Sequence, residues 1–135
     1  MAIELSDKVK QAIEGKEFWH LATVNPDGSP QVTATWIRFA DNGLILVNTA
    51  EGRKKPRNMR HKPHVALSWA KPDNPYNSIA IQGRVVDEYT GDRAEADIDS
   101  LAKKYLGEDV YPWRKPGEQR VTFLVEPTHV YHQDA

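Results

Sequence analysis

Cysteine is absent from the 135 residues, which removes disulfide staples, thiolate nucleophiles, Cys-ligated zinc and iron–sulfur chemistry. No run of eighteen apolar residues occurs, and no charged segment leads into an apolar one at the N-terminus, so neither a membrane span nor a secretion signal is expected. Charge of one sign is also lacking. Eighteen Lys+Arg against nineteen Asp+Glu leave a net charge of −1, which argues against a generally basic nucleic-acid binder. The Gly-x-Gly-x-x-Gly fingerprint, the Gly-Lys-Ser/Thr of a phosphate loop, the Gly-x-Ser-x-Gly elbow and an isolated carboxylate pair are all missing. A single soluble domain over residues 1–135 is expected, cytoplasmic, with 39% hydrophobic residues to build a core.

The periodicity inside that domain changes repeatedly. Leu5, Val9, Ala12 and Ile13 form one stripe of a short helix that Ser6 caps and Gly15 ends. Residues 18–24 then read as a strand, turned by Asn25-Pro26-Asp27-Gly28 into a second strand over Gln31 to Phe39. Asn42-Gly43 signals a hairpin into the apolar strand Leu44 to Asn48. A short helix follows over residues 53–62, with Pro56 in its first turn, and His64 to Ala70 makes a fourth strand. Residues 71–77, with two prolines, read as a loop. Ser78 to Tyr89 is a fifth strand with Gly83 at a bulge or close approach. Ala94, Ile98, Leu101, Ala102 and Tyr105 define a helix over 92–106, and after a polar connection Arg120 to Glu126 and Thr128 to His132 read as a sixth and a seventh strand. Turn-type connections and the lack of helical crossovers among the first strands predict a small antiparallel β-barrel with helical insertions.

Arg53, Lys54, Lys55, Arg57, Arg60 and Lys62 concentrate positive charge in ten positions at the start of a helix. Such a segment is either a solvated face or an anion site, where helix N–H groups and cationic side chains meet a phosphate. Trp19, Trp36, Trp69, Trp113 and Tyr76 are either core or platforms for a planar ligand, and Trp36 stands apart within the alternating run Thr33 to Arg38. The five histidines lack metal-ligand spacing: Pro63 separates His61 from His64, and His129 and His132 have opposite-face spacing on a strand, so no metal is expected. Glu95, Asp97 and Asp99 read as the polar side of the helix over 92–106. An anion anchor without an evident acid, base or nucleophile points to chemistry carried by a cofactor.

His20-Leu-Ala-Thr-Val-Asn-Pro-Asp-Gly-Ser-Pro-Gln-Val-Thr through Trp36, Leu44-Ile-Leu-Val-Asn-Thr, the segment Gly52 to Leu67, Gln82-Gly83 and Glu126-Pro-Thr-His-Val-Tyr carry a resemblance over essentially the whole chain. They resemble the flavin-binding split β-barrel family of pyridoxamine 5'-phosphate oxidase, and within it the deazaflavin (coenzyme F420)-dependent oxidoreductases. The resemblance implies a mainly β (α+β), six- to seven-stranded antiparallel split barrel with short helices. It also implies a homodimer with a cofactor at each subunit interface. The ring would lie along Thr33, Thr35, Trp36 and Ile37, and the phosphate end at Asn48, Thr49, Arg53 and Lys55, with Lys54 beside them. Pro56 and Asn58 would hold the helix, while Tyr76 and Gln82 would reach the site from the partner or an adjoining loop.

Gly52 stands where FMN-binding relatives often offer a hydroxyl, and the surplus of basic residues suits the longer acidic tail of F420. The implied activity is hydride transfer from reduced F420 to an unsaturated or conjugated small-molecule acceptor. The alternatives are an FMN-dependent flavin reductase or pyridoxamine-phosphate-type oxidase, and a non-catalytic F420-binding or carrier protein. No catalytic residue is assigned, and no axial histidine for a haem.

Overall fold

The computed structural model describes residues 3–135. Helix α1 (Asp7–Glu14) starts as expected, with the Ser6 hydroxyl accepting the Val9 N–H at 3.3 Å, and it buries Val9, Ala12 and Ile13 against the barrel. Seven strands follow: β1 (Trp19–Val24), β2 (Pro30–Thr35), β3 (Ile37–Phe39), β4 (Ile45–Ala50), β5 (His64–Lys71), β6 (Asn74–Tyr89) and β7 (Arg120–Asp134). Helix α2 (Lys54–His61) joins β4 to β5, and α3 (Asp92–Leu106) lies between β6 and β7. The sheet is mainly β, antiparallel, in the order β2-β1-β5-β6-β7-β4-β3, consistent with a split barrel.

Three boundaries differ from the expectation, each for a local reason. The single strand expected over Gln31 to Phe39 breaks at Trp36, because β2 pairs with β1 while β3 pairs with β4 at the opposite margin of the sheet. The chain therefore crosses from one margin to the other at one residue, and that crossing curls the sheet. Thr35 and Ile37 on either side are buried, whereas Trp36 is turned to the outer surface of the barrel under α3. The expected loop over 71–77 is a tight hairpin: Lys71 pairs with Asn74, leaving Pro72 and Asp73 as the turn and Pro75 at an irregularity where a proline costs no ladder bond. The sixth and seventh strands are one, β7, with Pro127 opposite Gly83 at a register shift.

The barrel interior holds Trp19, Leu21, Ile37, Val47, Leu67 and Phe123, all essentially inaccessible to solvent. A second, smaller apolar cluster, Leu46, Ile98, Leu101 and Leu124, glues α3 to the outer face of β4 and β7. Gly83 is the close approach its sequence context suggests: a β-carbon there would sit 2.5 Å from Val125 Cγ1 and 3.0 Å from the Glu126 carbonyl oxygen. Gly83→Ala is therefore expected to destabilise the fold by about 1–3 kcal/mol through overpacking. Urea denaturation reads this directly, and an unchanged midpoint would show that the strands part freely at this bulge.

Candidate functional site

The basic segment is placed by three features. Gly52, at a φ of 88°, makes the turn out of β4, and Arg53 occupies the extended N-cap of α2. Pro56, Asn58 and Met59 form the buried side of α2, which leaves Lys54 and Arg57 to solvent. Asn58 is wholly buried, and its Nδ2 donates to Thr23 Oγ1 at 3.1 Å and to Asn25 Oδ1 at 3.0 Å, tying the helix to the end of β1.

A cavity of about 310 Å³ opens between the start of α2, the outer face of the barrel at Trp36, and α3 with the segment that follows it. Its apolar walls are Phe18, Trp36, Ile98, Leu101, Tyr111 and Trp113, and its polar end is made by Asn48, Arg53, Lys55 and Arg120. Trp36 is the centre of the aromatic wall. It stacks on Tyr105 (centroids 5.2 Å apart, rings 7° from parallel) and meets Tyr111 edge-on at 6.2 Å and Trp113 at 6.1 Å. The backbone behind Trp36 is pinned from α3: the Ile37 carbonyl accepts from Lys104 Nζ at 2.6 Å and from the Tyr105 hydroxyl at 3.2 Å. Lys104 also donates to the Ile13 carbonyl at 2.6 Å, so one side chain joins α1, β3 and α3. Burial lowers its pKa to about 8.

At the polar end Arg120 is 2% exposed. Its Nε donates to Asn48 Oδ1 at 2.9 Å, Nη1 donates to Glu118 Oε1 at 3.2 Å, and the guanidinium lies 5.2 Å over the Tyr111 ring. Lys55 makes no ion pair among the described residues, and its pKa is lowered by burial and by the neighbouring Arg53 and Arg120 charges. Asn48 donates to the Ala94 carbonyl and to Thr122 Oγ1, so its polar atoms are committed to holding Arg120 and α3. The carboxylates of α3 do more than face solvent. Glu95 and Asp99 bind Arg114 and so fasten residues 107–119, whereas Asp97 is buried and accepts from Arg38, Tyr89 and Thr122.

Of the residues singled out in the sequence, the structure brings Thr35, Trp36, Asn48, Arg53 and Lys55 to this one cavity. Lys54 lies in an adjoining groove of about 340 Å³ with Gly52, Arg57 and Arg60, and Arg53 lines both spaces. Arg60 is engaged by Glu51 and Glu88. Thr49 belongs to the barrel interior, Thr33 is half-buried on the edge strand opposite Leu21, and the hydroxyl oxygens of both lack a hydrogen-bond partner. The Ile37 side chain is core, and Asn58 fixes α2. Tyr76 projects from the β5–β6 hairpin end, and Gln82 lines a separate groove across β1, β5 and β6, so neither reaches the cavity within one chain. Sequence reasoning missed Arg120, Glu118, Phe18 and Tyr111 as site residues. The register that sets Asn48 against Thr122 and the return of residues 107–119 reveal Arg120, Glu118 and Tyr111, and the edge-on contact with Trp36 at 6.5 Å reveals Phe18. No group of three or more His, Asp or Glu side chains able to hold a metal occurs among the described residues.

The curled antiparallel barrel thus carries an aromatic slot that ends in a cationic corner. The family model for pyridoxamine 5'-phosphate oxidase matches residues 5–134, and the chain belongs to that family. Among solved structures it is similar to an F420 reductase at 32% identity, covering 94% of this chain and 98% of that one with a TM-score of 0.80. A pyridoxamine 5'-phosphate oxidase-related, FMN-binding protein from Nostoc punctiforme (16% identity, 96% and 86% coverage, TM-score 0.68) shares the fold. So does HutZ, the haem storage protein of Vibrio cholerae (14% identity, 97% and 96% coverage, TM-score 0.68). No described helix is long and apolar enough to cross a membrane.

Proposed function

We propose that the protein is an F420H2-dependent reductase acting on an unsaturated or conjugated small-molecule acceptor. The observation that carries this reading is the continuity of one cavity, with an aromatic wall at Trp36, Tyr111 and Trp113 and a cationic end at Arg53, Lys55 and Arg120. The donor set fits such a group: a half-buried lysine without a counter-ion and a buried arginine face a space of ring-like proportions. F420 is favoured over FMN by the likeness to an F420 reductase at 32% identity, and by the second basic groove that continues from Arg53 past Lys54 and Arg57. A chain of carboxylates would follow that groove.

When bound, the reduced deazaflavin supplies a hydride from its ring. The protein's part is to bind and orient. Arg53 and Lys55 hold the phosphate, Trp36 sets the plane of the ring, and the aromatic wall excludes water from the reacting face. Tyr111 and Lys55 line the cavity, but neither is assigned as the proton donor, and solvent serves that role. In a homodimer, Tyr76 and Gln82, which lie outside their own cavity, would contribute to the partner's site. The exposed Val32 and Tyr131 would be covered there.

Fluorescence titration with F420 and, in parallel, FMN tests the reading. Tight saturable F420 binding with weak FMN binding is expected, followed by oxidation of reduced F420 in the presence of quinones or enones. FMN binding more tightly would move the protein to the oxidase-like branch. F420 binding without turnover of any acceptor would make it a carrier.

A further inference from the structure

Glu118 has no place in the reading above, yet it lies at the charged end of the cavity with a side chain only 10% exposed. It makes two ion pairs of unequal kind. To Arg120 it accepts at 3.2 Å, and that guanidinium is itself buried and held from the other side by Asn48 and by the Tyr111 ring. To Arg53 the separation is 3.7 Å, beyond hydrogen-bonding distance. Arg53 is about half exposed and makes no other ion pair among the described residues. Lys55, the third cation of the corner, makes none. One carboxylate thus pairs with two of the three cations, fixed to Arg120 and resting loosely against Arg53, and leaves Lys55 unpaired.

We propose that Glu118 is the displaceable counter-ion of the cavity's anion subsite, permanently bound to Arg120 and giving up Arg53 when an anionic group of the ligand enters between Arg53 and Lys55. The inference rests on the proposed cofactor reading for the identity of the anion, a phosphate or carboxylate. The geometry favours this exchange because the Arg53 arm is solvated and unrestrained, so its movement breaks no hydrogen bond. The Arg120 arm cannot follow without abandoning Asn48 and stranding a buried guanidinium. Glu118 therefore sets how much negative charge the site accepts. With the carboxylate present the corner carries a surplus of two positive charges, and with glutamine in its place it carries three.

The test is the affinity of wild-type and Glu118→Gln protein for two probes, F420 and the deazaflavin chromophore with its ribityl chain but no phosphate, at several salt concentrations. Glu118→Gln is expected to bind F420 roughly 3- to 10-fold more tightly, as removal of one opposing charge at short range implies. Its salt dependence should be steeper, and the phosphate-free probe should bind unchanged. Glu118→Asp should restore wild-type affinity and salt dependence, and Glu118→Ser stands in should the glutamine variant fail to fold. Equal or weaker F420 binding by the folded variant overturns the inference, because Glu118 then merely braces Arg120. An equal gain for both probes overturns it too, since the effect would not lie at the anion. No F420 binding by either protein overturns the cofactor reading and this inference with it.

Discussion

Replacing Arg53 and Lys55 together by glutamine is expected to weaken F420 binding at least tenfold, about 1.4 kcal/mol, while leaving the fold intact. The two halves of that statement have separate grounds. Arg53 is half exposed with one loose ion pair, so its loss costs little stability. Lys55 is partly buried without an anionic partner, so the charge it carries is a cost in the free protein that its removal relieves. Both side chains line the cavity, and an anion there loses two of its three cationic neighbours.

The same position makes binding pH-dependent. An anion held against Lys55 favours its ammonium form, so affinity is full below the lowered pKa of the free lysine and falls as pH rises through it, short of the usual lysine range. A Lys55→Arg variant, whose charge persists, should hold its affinity across that window. Isothermal titration from pH 7 to 10 measures both effects. Unchanged affinity in the double variant would remove these residues from the site.

How much of this was legible in the chain depends on the range of the interaction involved. Features fixed by neighbours in sequence are readable: the Ser6 cap, the Asn42-Gly43 hairpin where both residues take positive φ, and the helix over 92–106. Gly83 was readable because a glycine inside a strand pattern needs a steric reason, and Val125 is that reason. The break at Trp36 was not, because the run Gln31 to Phe39 has strand character throughout and only the closing of the sheet decides that its two halves pair at opposite margins. The sequence sets Lys54 and Lys55 in one charge patch, although successive residues on a helix diverge by about 100°. The buried pattern of Pro56, Asn58 and Met59 separates the two lysines into different spaces. Arg120 and Glu118 carried no local signal at all. A strand-opening arginine and a loop glutamate acquire meaning only when register places Asn48 beside Thr122 and the loop returns to the cavity.

Asp97 is the largest departure from its sequence reading, and its removal is expected to cause the largest loss of stability. On a helical wheel it belongs to the polar side of α3, but the structure buries it against β7 and β3. One oxygen accepts from Arg38 Nη2 at 2.9 Å, and the other accepts from the Tyr89 hydroxyl and from Thr122 Oγ1. Burial and the bond to this carboxylate raise the Tyr89 pKa, so the phenol stays a donor through the neutral range. Thr122 in turn accepts from Asn48 Nδ2, and Asn48 Oδ1 receives Arg120, so a continuous chain of hydrogen bonds runs from the buried carboxylate to the cationic end of the cavity. Asp97→Ala leaves three donors facing a void. A loss of about 3 kcal/mol is expected, at the lower edge of the range for breaking a buried charged pair because Arg38 retains some access to water. Asp97→Asn keeps the volume and one acceptor oxygen, and should cost less than half as much. Urea denaturation orders the two variants. Equal and small losses would mean that water replaces the carboxylate freely and that Asp97 anchors neither Tyr89 nor the chain to Arg120. If the chain does transmit order to the site, Thr122→Val should weaken F420 binding while leaving the stability contributed by the Arg38–Asp97 pair in place.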